Sequence, residues 1–185
     1  KSNNLEFRGE KAKVGAYPLG VDFNFFNSAE TESKEEEIRK KYGADNVILG
    51  VDRQDYTKGI PERIRSFEKF VRKNPDYREK VTMVQRTPLS RTGIEEYQKE
   101  KSDINHRVSE FNGKNGSHDW TPINLFWGGV PQKELIAEYR AADIGLVTPG
   151  LVGMNLVAKE FIAANEEPKV LILSEFAGSS EQLDE

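Results

Sequence analysis

Five short apolar runs, at residues 47–51, 81–84, 123–126, 144–147 and 170–173, recur along the chain with a helical pattern between each pair of neighbours. Each run is of strand length and lacks the alternation of a half-exposed strand, so both of its faces need cover. The intervening segments 60–71, 94–111, 133–141 and 153–164 space apolar side chains three and four residues apart, as in Ile64, Phe67, Phe70 and Val71. Unbroken strands separated by helices predict an α/β fold: a Rossmann-like parallel sheet with helices on both faces. Ligands of such sheets bind beyond the carboxyl ends of the strands.

The flanks are less regular. Residues 1–27 show little periodicity and read as a connector containing one short strand within 14–22. In the charged segment 30–42 Ile38 is the lone aliphatic, which predicts a mostly solvated helix. After the last apolar run, residues 175–180 read as the start of a helix that the chain leaves unfinished at Glu185, so a fragment of a longer fold is expected.

Composition removes several classes of chemistry. Cysteine is absent and there are two histidines, which excludes disulfides, thiol nucleophiles and Cys- or His-rich metal centres. His106 and His118 have no second ligand at metal spacing and read as satisfied or exposed side chains. Trp120 and Trp127 read as packing around the third strand and its loop. Lys and Arg (27) are interspersed with Asp and Glu (31) for a net charge of −4, which offers no field for a nucleic-acid partner. No apolar stretch approaches the roughly 20 residues that span a bilayer, and no N-terminal leader pattern occurs, so the reading is cytoplasmic, with no membrane partner.

Three segments at the expected ligand edge carry chemistry. Directly after the first strand, Asp52 to Gly59 places Arg53, Lys58 and a glycine where a helix begins, a position that suits an anion through free N–H groups, the helix dipole and two cations. A surface turn whose Asp and Arg cap the helix or pair with each other would have the same composition. After the fourth strand, the loop from Thr148 through Gly150 and Gly153 to Asn155 can bring backbone N–H groups to a diphosphate, with Glu160 further on as an acceptor for ribose hydroxyls. The bland alternative for Glu160 is an exposed carboxylate paired with lysine. The third segment, Gln85 to Arg91, ends on an arginine suited either to an anionic substrate or to nearby carbonyls.

These motifs resemble those of the trehalose-6-phosphate synthases, retaining glycosyltransferases with two Rossmann-like domains. The resemblance runs through Pro18-Leu19-Gly20-Val21-Asp22, Val51 to Gly59, Ser90-Arg91, Asn112-Gly113, Asp119-Trp120-x-Pro122, Tyr139 to Asp143, Gly153 to Glu160 and Leu173 to Gly178, in family order. It implies transfer of glucose from UDP-glucose to glucose 6-phosphate with retention, no cofactor and no metal. It further implies Arg53 and Lys58 as the groups on the donor diphosphate and its departure, and Gly153, Met154, Asn155, Leu156 and Val157 as the backbone along phosphates and sugar. Glu160 would be the ribose carboxylate and Arg91 the acceptor-phosphate arginine. Residues 1–28 would then be a connector from an absent N-terminal domain, and 29–185 a nucleotide-sugar-binding domain truncated at its C-terminus, at best half an enzyme alone. The sequence departs from the family at Leu151-Val152, where an Arg and a sugar-binding Asp are expected, and at Gln54, where Leu is usual. Loss of that Asp favours a second reading, a non-catalytic nucleotide-binding or regulatory module.

Overall fold

The computed structural model describes residues 3–15, 17–27, 32–90 and 92–183; Arg91 lies outside the described residues. The chain opens with an antiparallel hairpin, β1 (Asn3–Phe7) and β2 (Glu10–Val14), in register Phe7 to Glu10 across a two-residue turn. Arg8 (φ 52°) and Gly9 (φ 82°) both take the left-handed conformation that matches the twist of a tight hairpin. The single short strand expected within 14–22 is therefore corrected to two strands, which reach that stretch only at Val14. Residues 17–22 carry no regular structure and lead into α1 (Phe23–Asn27), whose first turn Asp22 caps through Phe25 N–H at 3.1 Å. Next comes α2 (Glu32–Tyr42), which buries Tyr42 and packs Ile38 on the core.

From there strands and helices alternate as expected: β3 (Asn46–Val51), α3 (Ile60–Lys73), β4 (Val81–Arg86), α4 (Glu95–Asn115), β5 (Ile123–Phe126), α5 (Gln132–Ala141), β6 (Ile144–Val147), α6 (Leu156–Ala164) and β7 (Val170–Leu173). All neighbouring strands of this sheet pair in parallel, in the order β5-β4-β3-β6-β7. Counting the parallel strands alone, this is the 3-2-1-4-5 order of a Rossmann-like half, in which chain direction across the sheet reverses between β3 and β6.

Side-chain alternation along the strands feeds two cores. Val47, Leu49, Val51 and Val84 pack with Ile136, Tyr139 and Phe161 of α5 and α6, while Val81, Met83 and Ile123 pack with Ile60, Ile64, Phe67 and Val71 of α3 and with Ile104, Val108 and Phe111 of α4. Helices therefore cover both faces. Burying each such side chain contributes about 1.5–3 kcal/mol, so the stripe on α3 fixes that helix, and with it the turn that precedes it. Phe70, which the spacing places in the stripe, is instead partly exposed and packs on Tyr77 with ring centroids 5.4 Å apart. Trp120 is buried and donates to Val81 O at 3.0 Å; Trp127 is half-buried and donates to Asn105 Oδ1 at 2.7 Å. Among the described residues no helix is long and apolar enough to cross a membrane.

Candidate functional site

The crevice at the reversal point lies between the carboxyl ends of β3 and β6, where the sequence places its first two candidate segments. After β3 the chain forms a single 3-10 turn, Tyr56–Lys58, capped by Asp55, whose Oδ1 accepts from Thr57 N at 3.0 Å and Thr57 Oγ1 at 2.7 Å. Gly59 joins this turn to α3 at φ +65°, and a Cβ there would stand 2.5 Å from Thr148 O, so no other residue fits without moving the loop after β6. Gly150 N donates back to Thr57 O at 2.7 Å. The two candidate loops are thus tied to each other.

A buried arginine that the sequence reading passed over holds the arrangement from beneath. Arg63, on the second turn of α3, is 2% exposed. Its guanidinium donates from Nε to Thr148 Oγ1 at 3.0 Å, from Nη1 to Gln85 Oε1 at 3.0 Å and from Nη2 to Lys58 O at 3.4 Å, and Nη2 lies 2.7 Å from Asp52 Oδ2. One side chain therefore links the ends of β3, β4 and β6 and the cationic turn. Gly50 makes the room: a Cβ there would lie 2.7 Å from Arg63 Nη1. Burial pushes the Asp52 carboxyl upward, while Arg63 and then Lys58 pull it back toward the ionised form. Because guanidinium does not deprotonate, the buried cation requires its partner as a carboxylate at neutral pH.

The two sequence-predicted cations remain available above this network. Arg53 is exposed and Lys58 half-buried, and among the described residues neither forms an ion pair or a side-chain hydrogen bond. Of the alternative, the capping half forms, through Asp55, whereas among the described residues no Asp–Arg pair forms within the turn, because Asp52 pairs with Arg63 of α3.

On the other side of the crevice Asn155 caps α6 in an extended conformation, its Oδ1 accepting from Ala158 N at 3.3 Å. The helix starts at Leu156, three residues later than the pattern suggests, and its first turn contains no acidic side chain to neutralise the dipole. Gly153 and Met154 are exposed and Leu156 and Val157 half-buried. Glu160 sits about 7 Å along the helix from the cap at 1.5 Å per residue. It is half-buried and accepts from Tyr139 Oη at 2.7 Å. The lysine pairing offered as its alternative does not occur: Lys159 Nζ donates to Leu19 O at 2.5 Å and to Gln182 Oε1.

The third segment divides. Gln85 and Arg86 belong to β4 and are turned to internal use, Gln85 on Arg63 and Arg86 in a buried pair with Glu138 while lying 4.4 Å over the Phe126 ring. Gln54, in the place of the expected Leu, is also buried and donates to Tyr97 O at 2.5 Å. His106 and His118 are exposed, and among the described residues no cluster of metal-ligating side chains occurs. Leu151 is 86% exposed, whereas Val152 is half-buried and zipped to the segment after β7, donating from N to Phe176 O at 3.1 Å and accepting at O from Gly178 N at 2.8 Å. An open cavity of about 630 Å³ borders this zipper, lined by Leu19, Leu151, Met154, Lys159 and Phe176 among others; Arg53, Lys58 and Glu160 are not on its wall.

The whole chain, residues 1–185, matches the profile of glycosyltransferase family 20. It is 41% identical over 180 residues to a bifunctional trehalose-6-phosphate synthase/phosphatase of Thermoproteus tenax, covering 95% of this chain and 25% of that protein. It is similar in structure to the UDP-forming alpha,alpha-trehalose-phosphate synthase of Burkholderia xenovorans in complex with glucose-6-phosphate (TM-score 0.92, 33% identity, 100% of this chain and 42% of that one). A third match is the E. coli trehalose-6-phosphate protein bound with UDP-2-fluoro glucose (TM-score 0.90, 31% identity, 99% and 43%). The chain spans a quarter to about two fifths of the length of the relatives it matches. A profile match along every residue, identity above 30% across nearly the whole chain and a shared sheet lead to one assignment: the chain belongs to glycosyltransferase family 20.

Proposed function

We propose that this chain is the donor-binding part of a synthase that moves glucose from UDP-glucose to glucose 6-phosphate with retention, making trehalose 6-phosphate. The observation that carries the reading is the cross-tied crevice: a turn bearing two cations that are unpaired among the described residues is bonded directly to the loop that opens α6, at the reversal point of the sheet. Arg53 and Lys58 take the donor diphosphate. The backbone of Gly153, Met154, Asn155, Leu156 and Val157 lies along it, Glu160 takes the ribose and Arg91 the acceptor phosphate. Catalysis then consists of positioning and of charge stabilisation of the departing diphosphate, with no metal and no cofactor. Residues 29–185 form the nucleotide-sugar domain, 1–28 connect it to an N-terminal domain that completes the acceptor side, and the setting is cytoplasmic. The relatives solved with UDP-2-fluoro glucose and with glucose-6-phosphate support this choice of ligands. Calorimetric titration of the 185-residue chain with UDP tests it: a saturable heat is expected, and no heat at millimolar UDP from a chain that circular dichroism reports as folded would overturn it.

A second reading, a module that keeps the nucleotide and has lost the sugar, is favoured by Leu151 and Val152. Valine accepts no hydrogen bond, so sugar hydroxyls beside it would go unmatched. On that reading UDP and UDP-glucose bind alike, and Leu151→Arg with Val152→Asp makes UDP-glucose the tighter ligand by about 1–3 kcal/mol. The two hydrogen bonds that hold Val152 are made by its backbone, so the change leaves both groups in place. If the unmodified chain already prefers UDP-glucose by that margin, the module reading fails.

A further inference from the structure

Tyr139 is the least explained polar group near the crevice. It is 1% exposed on α5, its ring meets Phe161 edge to face with centroids 6.1 Å apart, and its hydroxyl reaches across to α6 to donate to Glu160 Oε2 at 2.7 Å. Burial, reinforced by the Glu160 charge, pushes the phenol well above its ordinary range, so the hydroxyl keeps its proton and remains a donor. A phenylalanine would fill the same core volume; the hydroxyl has one visible use. Among the described residues Glu160 has no other side-chain partner. Its Oε2 is thus held by a rigid neighbour while Oε1 keeps its lone pairs, which turns a flexible glutamate into an oriented acceptor.

We propose that Tyr139 is a positioning residue for nucleotide selection: by holding Oε2 it fixes the Glu160 carboxylate so that Oε1 accepts from the ribose hydroxyls of the bound nucleotide. This rests on the donor-site reading above and adds a residue to it. The test compares UDP with its 2′,3′-dideoxy analogue, by calorimetric titration, on the unmodified chain, Tyr139→Phe, Glu160→Gln and Glu160→Asp. The unmodified chain should prefer UDP by about tenfold or more, the worth of a hydrogen bond to a charged group. Tyr139→Phe should lower that preference severalfold by weakening UDP alone, leaving the dideoxy affinity unchanged. Glu160→Gln, which keeps an acceptor but loses its charge, should lower the preference severalfold. Glu160→Asp, too short to reach both Tyr139 and the ribose, should lose the preference without disturbing the core, and keeps the proposal open to refutation should Tyr139→Phe not fold. Equal weakening of both ligands by Tyr139→Phe, or an unchanged preference in either Tyr139→Phe or Glu160→Asp, would overturn the inference. A folded chain that binds UDP with no preference over the analogue would overturn the ribose role of Glu160 and the inference together, leaving the diphosphate site intact. Absence of any UDP binding would instead overturn the donor-site reading.

Discussion

Arg63→Leu is expected to cost about 3–5 kcal/mol of stability, the usual result of removing one partner from a buried ion pair. At about 2–4 °C per kcal/mol for a chain of this size, thermal denaturation should show Tm lower by about 6–20 °C. The cause is less the lost attraction than what remains: Asp52, 3% exposed, keeps its charge without compensation, and Gln85 Oε1, Thr148 Oγ1 and Lys58 O lose a common donor. Adding Asp52→Asn should recover part of the loss, because it removes the stranded charge. The pH dependence has a definite sign. With Arg63 gone, burial, the largest influence on Asp52, is opposed only by the weaker pull of Lys58 and raises its folded-state pKa above the unfolded value. A carboxyl raised in this way favours folding below the unfolded pKa, and that contribution is lost as pH rises through the folded pKa. The deficit of Arg63→Leu should therefore shrink as the pH is lowered from 7 toward 5. A variant as stable as the parent, or a deficit that grows on acidification, would mean that Asp52 is not left charged and alone.

Arg63 also shows what a linear reading misses. Its position was legible: Ile60, Arg63, Ile64 and Phe67 stand at i, i+3, i+4 and i+7, so the arginine falls on the apolar stripe of α3 and is bound to point inward. Its partners were not, because Asp52, Gln85 and Thr148 lie 11, 22 and 85 residues away and meet only through the parallel sheet. Tyr139 stands in a motif that the resemblance picks out, but the role of its hydroxyl is not legible for a related reason: an aromatic residue in a helix reads as core, and nothing local announces that the hydroxyl meets Glu160, 21 residues on. The sheet itself was legible because its central strands β3 and β4, buried on both faces, leave unbroken apolar runs; the edge strand β7 carries such a run too, yet Val170 and Ile172 are exposed, which corrects the expectation of cover on both of its faces. The hairpin was not, because both of its strands are exposed and mix Leu5 and Phe7 with charged neighbours, and because Arg8-Gly9 is a weaker turn signal than Asn-Gly. The mobility of meaning is greatest at Gln85 and Arg86: they stand at the ligand edge in sequence, but strand alternation and burial turn both into internal struts.

The cations above that network should behave in the opposite way. Arg53→Ala with Lys58→Ala is expected to weaken UDP binding by about 3–6 kcal/mol, two charge-assisted contacts at about 1.5–3 kcal/mol each, or roughly a hundredfold to ten-thousandfold in Kd. The fold should hardly notice. Neither side chain is in an ion pair among the described residues, and surface substitutions of this kind stay within about 0.5 kcal/mol. The turn keeps its shape without them, since Asp55, Gly59 and the Gly150–Thr57 hydrogen bond are backbone and cap features that the two alanines leave in place. Exposure adds a second signature: parent UDP affinity should fall as salt rises from 0.05 to about 0.5 M, where the screening length shrinks from above 10 Å toward 4 Å, and the double variant should show a flatter dependence. Uridine separates the charge from the base and ribose. Lacking the diphosphate, it should bind the parent and the double variant equally weakly, through Glu160 and the start of α6. If UDP affinity in the double variant stays within twofold of the parent, the anion is held elsewhere, and the α6 N-terminus with its uncompensated first turn becomes the sole phosphate anchor of the crevice.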